Sequence, residues 1–182
     1  MENQVTSHIV KGVILSAISI VFAVIVYVFN LYEMNALSYL NYAIFLGGLI
    51  YGAVLYANQN NNNVTFGNVF AHGFKTTAVV IVIMSVYTIL SVKVLFPDML
   101  DKILEISRKK MAENPKMTDE MIEQAVTMTK KFFLPFAIGG AIIGTGILGA
   151  IGSAIGAWAT DKYYLMPVVT PKYVGVMYRQ EF

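Results

Sequence analysis

The chain contains no cysteine, and charged residues are scarce in it. The absence of cysteine excludes disulfides, thiolate metal sites and cysteine nucleophiles, although it leaves the redox compartment open. Asp, Glu, Lys and Arg make up 13% of the 182 residues, whereas about 25% is typical of soluble domains. The hydrophobic fraction is 57% and the mean hydropathy is +0.62. This composition indicates a membrane protein, and the length leaves no room for a separate soluble catalytic unit.

The scarce charges leave four long windows that lack Asp, Glu, Lys, Arg and His. Each window is long enough to cross a hydrocarbon core of roughly 30 Å, which takes about 17–25 residues of helix. Because backbone polar groups in lipid must be satisfied internally, each window is predicted to be helical. The windows run from Gly12 to Tyr32, Ser38 to Ala57, Thr76 to Val92 and Phe132 to Thr160.

We therefore predict an all-α integral membrane fold, a single polytopic domain over residues 1–182. The first apolar run is too long for a signal-peptide core and no clear cleavage site follows it, so we interpret it as a retained anchor. Between the third and fourth spans we expect an amphipathic helical loop, and after the fourth span an extended tail at the membrane surface. The predicted boundaries are about 8–30, 38–58, 75–96 and 132–159 for the spans, 97–131 for the loop and 161–182 for the tail.

Two amphipathic segments flank the third span. Phe66, Phe70 and Phe74 share one i, i+4 ridge, which predicts an interfacial half-helix leading into that span. The loop holds more than half of the charged residues, and two helices are expected in it, capped by Asp98 and Thr118. Its apolar stripe either lies on the membrane and the protein's own helix ends or contacts a partner. Methionine suits the second reading because it adapts to varied surfaces, and five methionines lie in this loop: Met99, Met111, Met117, Met121 and Met128.

The fourth window is the most strongly patterned segment, because small residues recur along its i, i+4 ridges. Small-xxx-small patterns let helix backbones approach closely in a membrane. The G-x-G-x-x-G at residues 144–149 fits this packing role better than dinucleotide binding, because it lies inside an uncharged run with no strand before it. The helix is expected either at the centre of the bundle or facing another protein. The predicted helix-packing residues are Gly140, Gly144, Gly149, Gly152, Ser153 and Gly156.

The ionisable residues form no constellation typical of catalysis. There is no Ser/His/Asp set, no pair of intramembrane carboxylates and no H-E-x-x-H helix. His8 and His72 lack nearby carboxylates, and metal sites require three or four ligands. We therefore predict no catalytic residue, no cofactor, no metal and no enzymatic activity. The scattered Lys and Arg residues form no basic stripe for nucleic acid.

The charge distribution gives two opposing signals about orientation. An even number of spans places both termini on one side of the membrane. Lys11, just before the first window, favours cytoplasmic termini. The loop after the third span, counted with Lys93 just before it, carries eight Lys and Arg residues against five on the terminal side. We expect cytoplasmic termini because the first helix usually dominates.

The order of several motifs resembles one known family. Thr65-Phe66-Gly67 and His72-Gly73-Phe74-Lys75 precede the third helix, a Met- and Glu-rich loop surrounds Met117–Met128, and a Gly/Ile helix comes last. This order, over about residues 5–160, resembles the domain of unknown function 4199 family. The resemblance implies a four-helix bacterial inner-membrane protein, typical of Bacteroidota, with no established activity. The tail departs from the family pattern, which tends to finish in a short Lys-rich end.

Three functions remain open. The first is a non-enzymatic accessory or scaffold subunit of a larger inner-membrane complex, which contacts membrane lipids and another integral membrane protein through the last helix, the loop or the tail. The second, which the resemblance implies, is a partner of a membrane glycosyltransferase that handles lipid-linked sugars. Its candidate lipid-headgroup contacts are Lys11, His72 and Lys75, because interfacial cations attract phosphate. The third is a small transporter or channel, although the usual charged ring is missing.

Overall fold

The structure, a computed structural model, describes residues 5–31 and 34–165, except for the side chains of residues 35, 38 and 161–165. Within these ranges it is helical with no strand, so the predicted all-α class is confirmed. Four of the helices are long and apolar enough to span a membrane, and the chain is a multi-pass membrane protein. The elements are α1 (His8–Val28), α2 (Asn35–Gln59), α3 (Phe66–Leu90), a π-helical turn (Ser91–Leu95), α4 (Met99–Ala112) and α5 (Asp119–Leu165).

Hydroxyl side chains begin three of these helices. The side-chain oxygens of Ser7, Thr65 and Thr118 each accept the backbone N–H three residues further on, at 3.3 Å. These bonds satisfy N–H groups that the first helical turn leaves unpaired. Asp98 makes no such bond at the start of α4, contrary to the prediction. Its carboxylate accepts instead from the Tyr27 hydroxyl of α1.

The asparagine run between α2 and α3 forms a turn with left-handed backbone. Asn61 and Asn62 have φ values of 53° and 58°, a region that asparagine tolerates better than most residues. The Asn62 N–H donates to the Ala57 carbonyl at 2.8 Å and so closes the C-terminal end of α2. The run therefore reverses the chain between two spans.

The third span begins earlier than predicted. α3 is continuous from Phe66, so the expected half-helix and the expected span from residue 75 are one helix. Phe66, Phe70 and Phe74 do share a ridge, with neighbouring ring centroids 6.2 and 6.0 Å apart. No proline interrupts the segment, and once a capped first turn has formed, each further residue adds a hydrogen bond at little cost.

α5 likewise joins segments that the sequence predicted as separate. Its 47 residues extend about 70 Å at 1.5 Å per residue. It therefore includes the second helix of the loop, the fourth span and residues 161–165, which were predicted to be extended. Pro135 lies inside it, where it removes one hydrogen bond without ending the helix. The rest of the predicted tail, from residue 166, lies outside the described residues.

α3 lies at the centre of the bundle. α1, α2 and α5 all pack on it, and α2 also packs on α5. One buried apolar cluster consists of Leu15, Phe45, Leu49 and Val80, from α1, α2 and α3. α5 is therefore a packing helix beside the central helix and is not itself the centre.

α4 and the first turns of α5 form a helical hairpin beyond the spans. Leu104, Ile122 and Val126 are buried between the two helices. Arg108 of α4 and Glu123 of α5 form a salt bridge with 2.7 Å between nitrogen and oxygen. The hairpin thus has a small apolar core of its own.

The methionines of the loop divide between the two predicted roles. Met111 and Met117 pack against the hairpin core. Met121 and Met128 are 49% and 61% exposed. Part of the stripe therefore covers the protein's own helices, and part remains open at the surface.

Candidate functional site

A buried lysine marks the end of the bundle at which α1 begins. Lys11, in the first turn of α1, is only 7% exposed, and its Nζ donates to the Gly52 carbonyl of α2 at 2.9 Å. The same Nζ lies 5.5 Å from the centroid of the Tyr56 ring, within the cation–π range of about 6 Å. A lysine ammonium carries three N–H donors. Among the described residues, Gly52 supplies the one oxygen acceptor of Lys11, so two of these donors have no such partner.

Two histidines lie beside this lysine. The His72 ring of α3 stacks on the Tyr56 ring with 4.0 Å between centroids. The His8 ring meets the His72 ring edge-on, with 6.0 Å between centroids. His72 is 9% exposed, and its Nε2 is buried with no hydrogen-bond partner in the described part of the chain. An unpaired buried polar atom costs about 1–3 kcal/mol. We call His8, Lys11, His72 and Lys75 the basic cluster.

A pair of reciprocal hydrogen bonds ties the segment before α1 to the end of α2. The Thr6 backbone N–H donates to Gln59 Oε1 at 2.9 Å, and Gln59 Nε2 donates to Thr6 Oγ1 at 2.8 Å. Together with the bond from Lys11 to Gly52, they hold α1 against α2 at this end of the bundle.

The three residues predicted to contact lipid headgroups are not equally accessible. Lys11 and His72 are buried, whereas Lys75 is exposed. In this conformation, therefore, a direct headgroup contact is open to Lys75 alone, because the Gly52 carbonyl draws Lys11 inward. Gly52 and Tyr56 were not among the predicted site residues, although their i, i+4 spacing places them on one ridge of α2.

Four of the six predicted packing residues of α5 lie against neighbouring helices. A Cβ at Gly149 would lie 2.2 Å from Thr77 Cγ2 of α3, and one at Gly156 would lie 2.6 Å from Ala53 Cβ of α2. Gly152 faces α2 in the same way, and Ser153 is buried against Gly73 of α3. Such close approach of backbones is what small residues allow in a membrane.

The other two predicted packing residues, Gly140 and Gly144, do not lie against neighbouring helices. A Cβ at Gly140 or Gly144 would meet nothing within 4 Å, and both residues are exposed. At 3.6 residues per turn, each step of four residues winds about 40° around the helix, so the ridge turns by about 160° from residue 140 to residue 156. The six residues therefore do not share one face, and the first two point out of the bundle.

An outward surface of α5 surrounds these two glycines. Phe136, Ile143 and Ile147 are 70%, 66% and 57% exposed. With Gly140 and Gly144 they form what we call the outer face. It combines a Gly-xxx-Gly spacing with bulky neighbours, which is the pattern of a transmembrane helix–helix contact.

A second polar group, at the opposite end of the bundle, joins α1 to the hairpin. The Tyr27 hydroxyl donates to the Asp98 carboxylate at 2.5 Å, and Lys102 pairs with the same carboxylate at 3.0 Å. The Tyr27 hydrogen bond, and then that from Lys102, hold the pKa of Asp98 below its ordinary value. The Lys102 ammonium also lies 4.7 Å from the Tyr27 ring centroid. No sequence pattern indicates this contact, which joins residues 71 positions apart.

No group of three or more His, Asp or Glu residues within the described ranges is close enough to hold a metal ion.

Comparison with known proteins returns one family model, described as "Protein of unknown function (DUF4199)", which matches residues 11–162. Neither the curated proteins nor the solved structures give a significant match.

Proposed function

Because the chain belongs to this family, whose description assigns no activity, we propose from the geometry that it is a non-enzymatic accessory subunit that docks on another integral membrane protein. The observation that carries the proposal is the outer face of α5. There no described residue covers a Gly-xxx-Gly surface, although the same helix uses its other small residues for close contacts.

The uncovered glycines are costly for the isolated chain. A Cβ at Gly139, Gly140, Gly144 or Gly146 would meet no described atom within 4 Å. A glycine in a helix interior is less favourable than alanine by about 1 kcal/mol, so four of them cost roughly 3–4 kcal/mol. Among the described residues no close contact at these glycines offsets this cost. A partner helix crossing at Gly140 and Gly144 would offset it through backbone approach and packing on Ile143 and Ile147.

The hairpin supplies a second contact outside the membrane. The residues of α5 before the predicted span, 119–131, extend about 20 Å at 1.5 Å per residue. Met121 and Met128 lie exposed along this segment, and methionine packs well on varied surfaces. A partner that covers the outer face in the membrane can therefore also contact the hairpin.

The proposal includes a location. We place the protein in the cytoplasmic membrane of a bacterium with its termini in the cytoplasm. Lys75, exposed beside the start of α1, lies at the terminal end of the bundle, and the hairpin lies at the other end.

The test maps the docking surface on the full chain in native membranes. Photo-crosslinking p-benzoylphenylalanine is placed at position 143 on the outer face. The control position is 47, because Gly47 of α2 is also exposed with nothing within 4 Å of its Cβ. Purification in mild detergent and mass spectrometry then identify the crosslinked species. We expect one membrane protein to crosslink in stoichiometric amount from position 143 and not from position 47.

Paired substitutions complete the test. Gly144→Leu is expected to abolish the crosslink and the co-purification, whereas Gly47→Leu adds the same bulk and leaves both unchanged. If the captured partner is a membrane glycosyltransferase, the hypothesis of lipid-linked sugar chemistry becomes a special case of this proposal. A stable monomer that crosslinks only to lipid, or a chain that crosslinks only to its own copy, overturns the accessory role.

A further inference from the structure

The basic cluster gathers positive charge at one end of the bundle without a described counter-charge. The Lys11 ammonium and the His72 ring both lie against the Tyr56 ring, and the His8 ring lies 6.0 Å from that of His72. Lys75 follows His72 by three residues on α3. Every carboxylate whose side chain the structure describes lies at the opposite end, between Asp98 and Glu123. A charge taken out of water requires a compensating partner. The described part of the cluster supplies none.

The cluster also holds more donors than acceptors. Lys11 has two N–H groups without an oxygen acceptor among the described residues, and His72 has a buried ring nitrogen without a partner. A phosphate group is the complement of such a set, because its several oxygens accept charge-assisted hydrogen bonds from lysine and histidine together.

The position of the cluster matches that of phosphate groups in a bilayer. Lys11 lies three residues after the start of α1, a rise of about 4.5 Å along the helix. Lysine side chains this close to a helix end reach the membrane interface, where they attract anionic headgroups. Lys75 is exposed and His8 is half-buried, so these two residues form the accessible edge of the cluster.

We propose that the basic cluster binds a phosphate-bearing anion at the bilayer surface, either the headgroup of an anionic lipid or free phosphate. Lys75 and His8 make the first contact. Lys11 then turns its flexible four-carbon stem away from Gly52 towards the anion, and the Gly52 carbonyl keeps its helical hydrogen bond. His72 and the Tyr56 ring support Lys11 from behind. This site is independent of the outer face of α5, so it does not depend on the docking of a partner.

The experiment uses the full chain in detergent and native mass spectrometry with added lipids. Dioleoyl phosphatidic acid is compared with dioleoylglycerol, which has the same acyl chains and no phosphate. The wild-type chain is expected to bind phosphatidic acid at least about tenfold more tightly, the effect of one or two charge-assisted hydrogen bonds. Lys11→Met is expected to remove this preference, and Lys11→Arg to keep most of it. Lys93→Met is the matched control, because Lys93 is exposed in the π-helical turn that follows α3, at the other end of the bundle.

Competition with inorganic phosphate shows whether the bound anion is a lipid headgroup or free phosphate. If millimolar phosphate displaces phosphatidic acid, the site takes free phosphate. If phosphatidic acid binds and phosphate does not compete, the site takes a lipid headgroup. The proposal is overturned if the wild-type chain does not distinguish phosphatidic acid from dioleoylglycerol. It is equally overturned if Lys93→Met loses as much binding as Lys11→Met. The wild-type comparison decides the matter even if a Lys11 variant fails to fold.

Discussion

Two glycine-to-alanine substitutions on the same helix should change stability in opposite directions. Gly149 and Gly144 both lie in the part of α5 that forms the fourth span. A Cβ at Gly149 would lie 2.2, 2.4 and 2.8 Å from Thr77 Cγ2, Oγ1 and Cβ, whereas a Cβ at Gly144 would meet nothing within 4 Å. We therefore expect Gly149→Ala to destabilise the isolated chain and Gly144→Ala to stabilise it.

The size of the stability loss in Gly149→Ala follows from the surroundings of Thr77. This side chain is 1% exposed, and its Oγ1 donates to the Gly73 carbonyl at 3.1 Å, so rotating away loses a hydrogen bond. Gly73 itself lies against Ser153 one turn further along α5, which limits any shift of α3. Overpacking of this kind costs typically about 1–3 kcal/mol. The gain from replacing a helical glycine, about 1 kcal/mol, applies to both variants and cancels in their difference. We expect Gly149→Ala to be less stable than Gly144→Ala by about 1–3 kcal/mol.

The assay is reversible unfolding of the full chain in mixed micelles, followed by circular dichroism and by the fluorescence of the one tryptophan, Trp158. A double variant locates the cause. Thr77→Ala removes the two nearest atoms, so it should recover most of the loss in a Gly149→Ala background. Equal stabilities for the two alanine variants would refute the reasoning, and so would additive effects of Gly149→Ala and Thr77→Ala.

Two further predictions concern the stability of the hairpin and the orientation of the chain in the membrane. Because the Tyr27 hydrogen bond lowers the pKa of Asp98 from its ordinary 3.8, this contact adds stability above that pH and loses it as the pH falls through the lowered value. The protection of the α4 amides against hydrogen exchange, corrected for the intrinsic exchange rate at each pH, should therefore fall at acidic pH, and Tyr27→Phe should reduce that dependence; a dependence unchanged by Tyr27→Phe contradicts this reasoning. Since the chain has no cysteine, single cysteines report orientation cleanly. Cytoplasmic termini predict that an impermeant maleimide labels Lys116→Cys on intact cells and Asn62→Cys only after permeabilisation; the reverse pattern rejects that orientation.

The spans could be predicted because their cause is local. An uncharged apolar window must form a helix in lipid whatever its neighbours do, and the predicted first two spans agree with α1 and α2 to within a few residues. The boundaries were wrong where a helix continued past a change in polarity. Thr65 and Thr118 each begin a helix that runs on into the membrane without a break. Composition shows where the membrane lies, and it does not show where a helix ends.

The candidate sites divide in the same way. The recurrence of small residues in α5 was visible in the sequence, but the ridge winds around the helix, and its direction relative to α2 and α3 cannot be read from spacing. Gly149 and Gly144 are alike in sequence and opposite in surroundings. Lys11 was visible as an interfacial cation, but its burial depends on Gly52 and Tyr56 of another helix.

The amino-acid sequence alone determined the membrane location, the all-helical class, the number of spans and the residues able to pack closely. These properties follow from hydrophobic length and from backbone hydrogen bonding, which act within one segment. Only the tertiary structure decided which glycines are covered and which remain open. It also decided that Lys11 meets a helix carbonyl rather than water, and that Tyr27 holds the hairpin through Asp98. These properties depend on how the helices are rotated and placed against one another. The residue pattern within one helix does not show which residues of a distant helix it contacts.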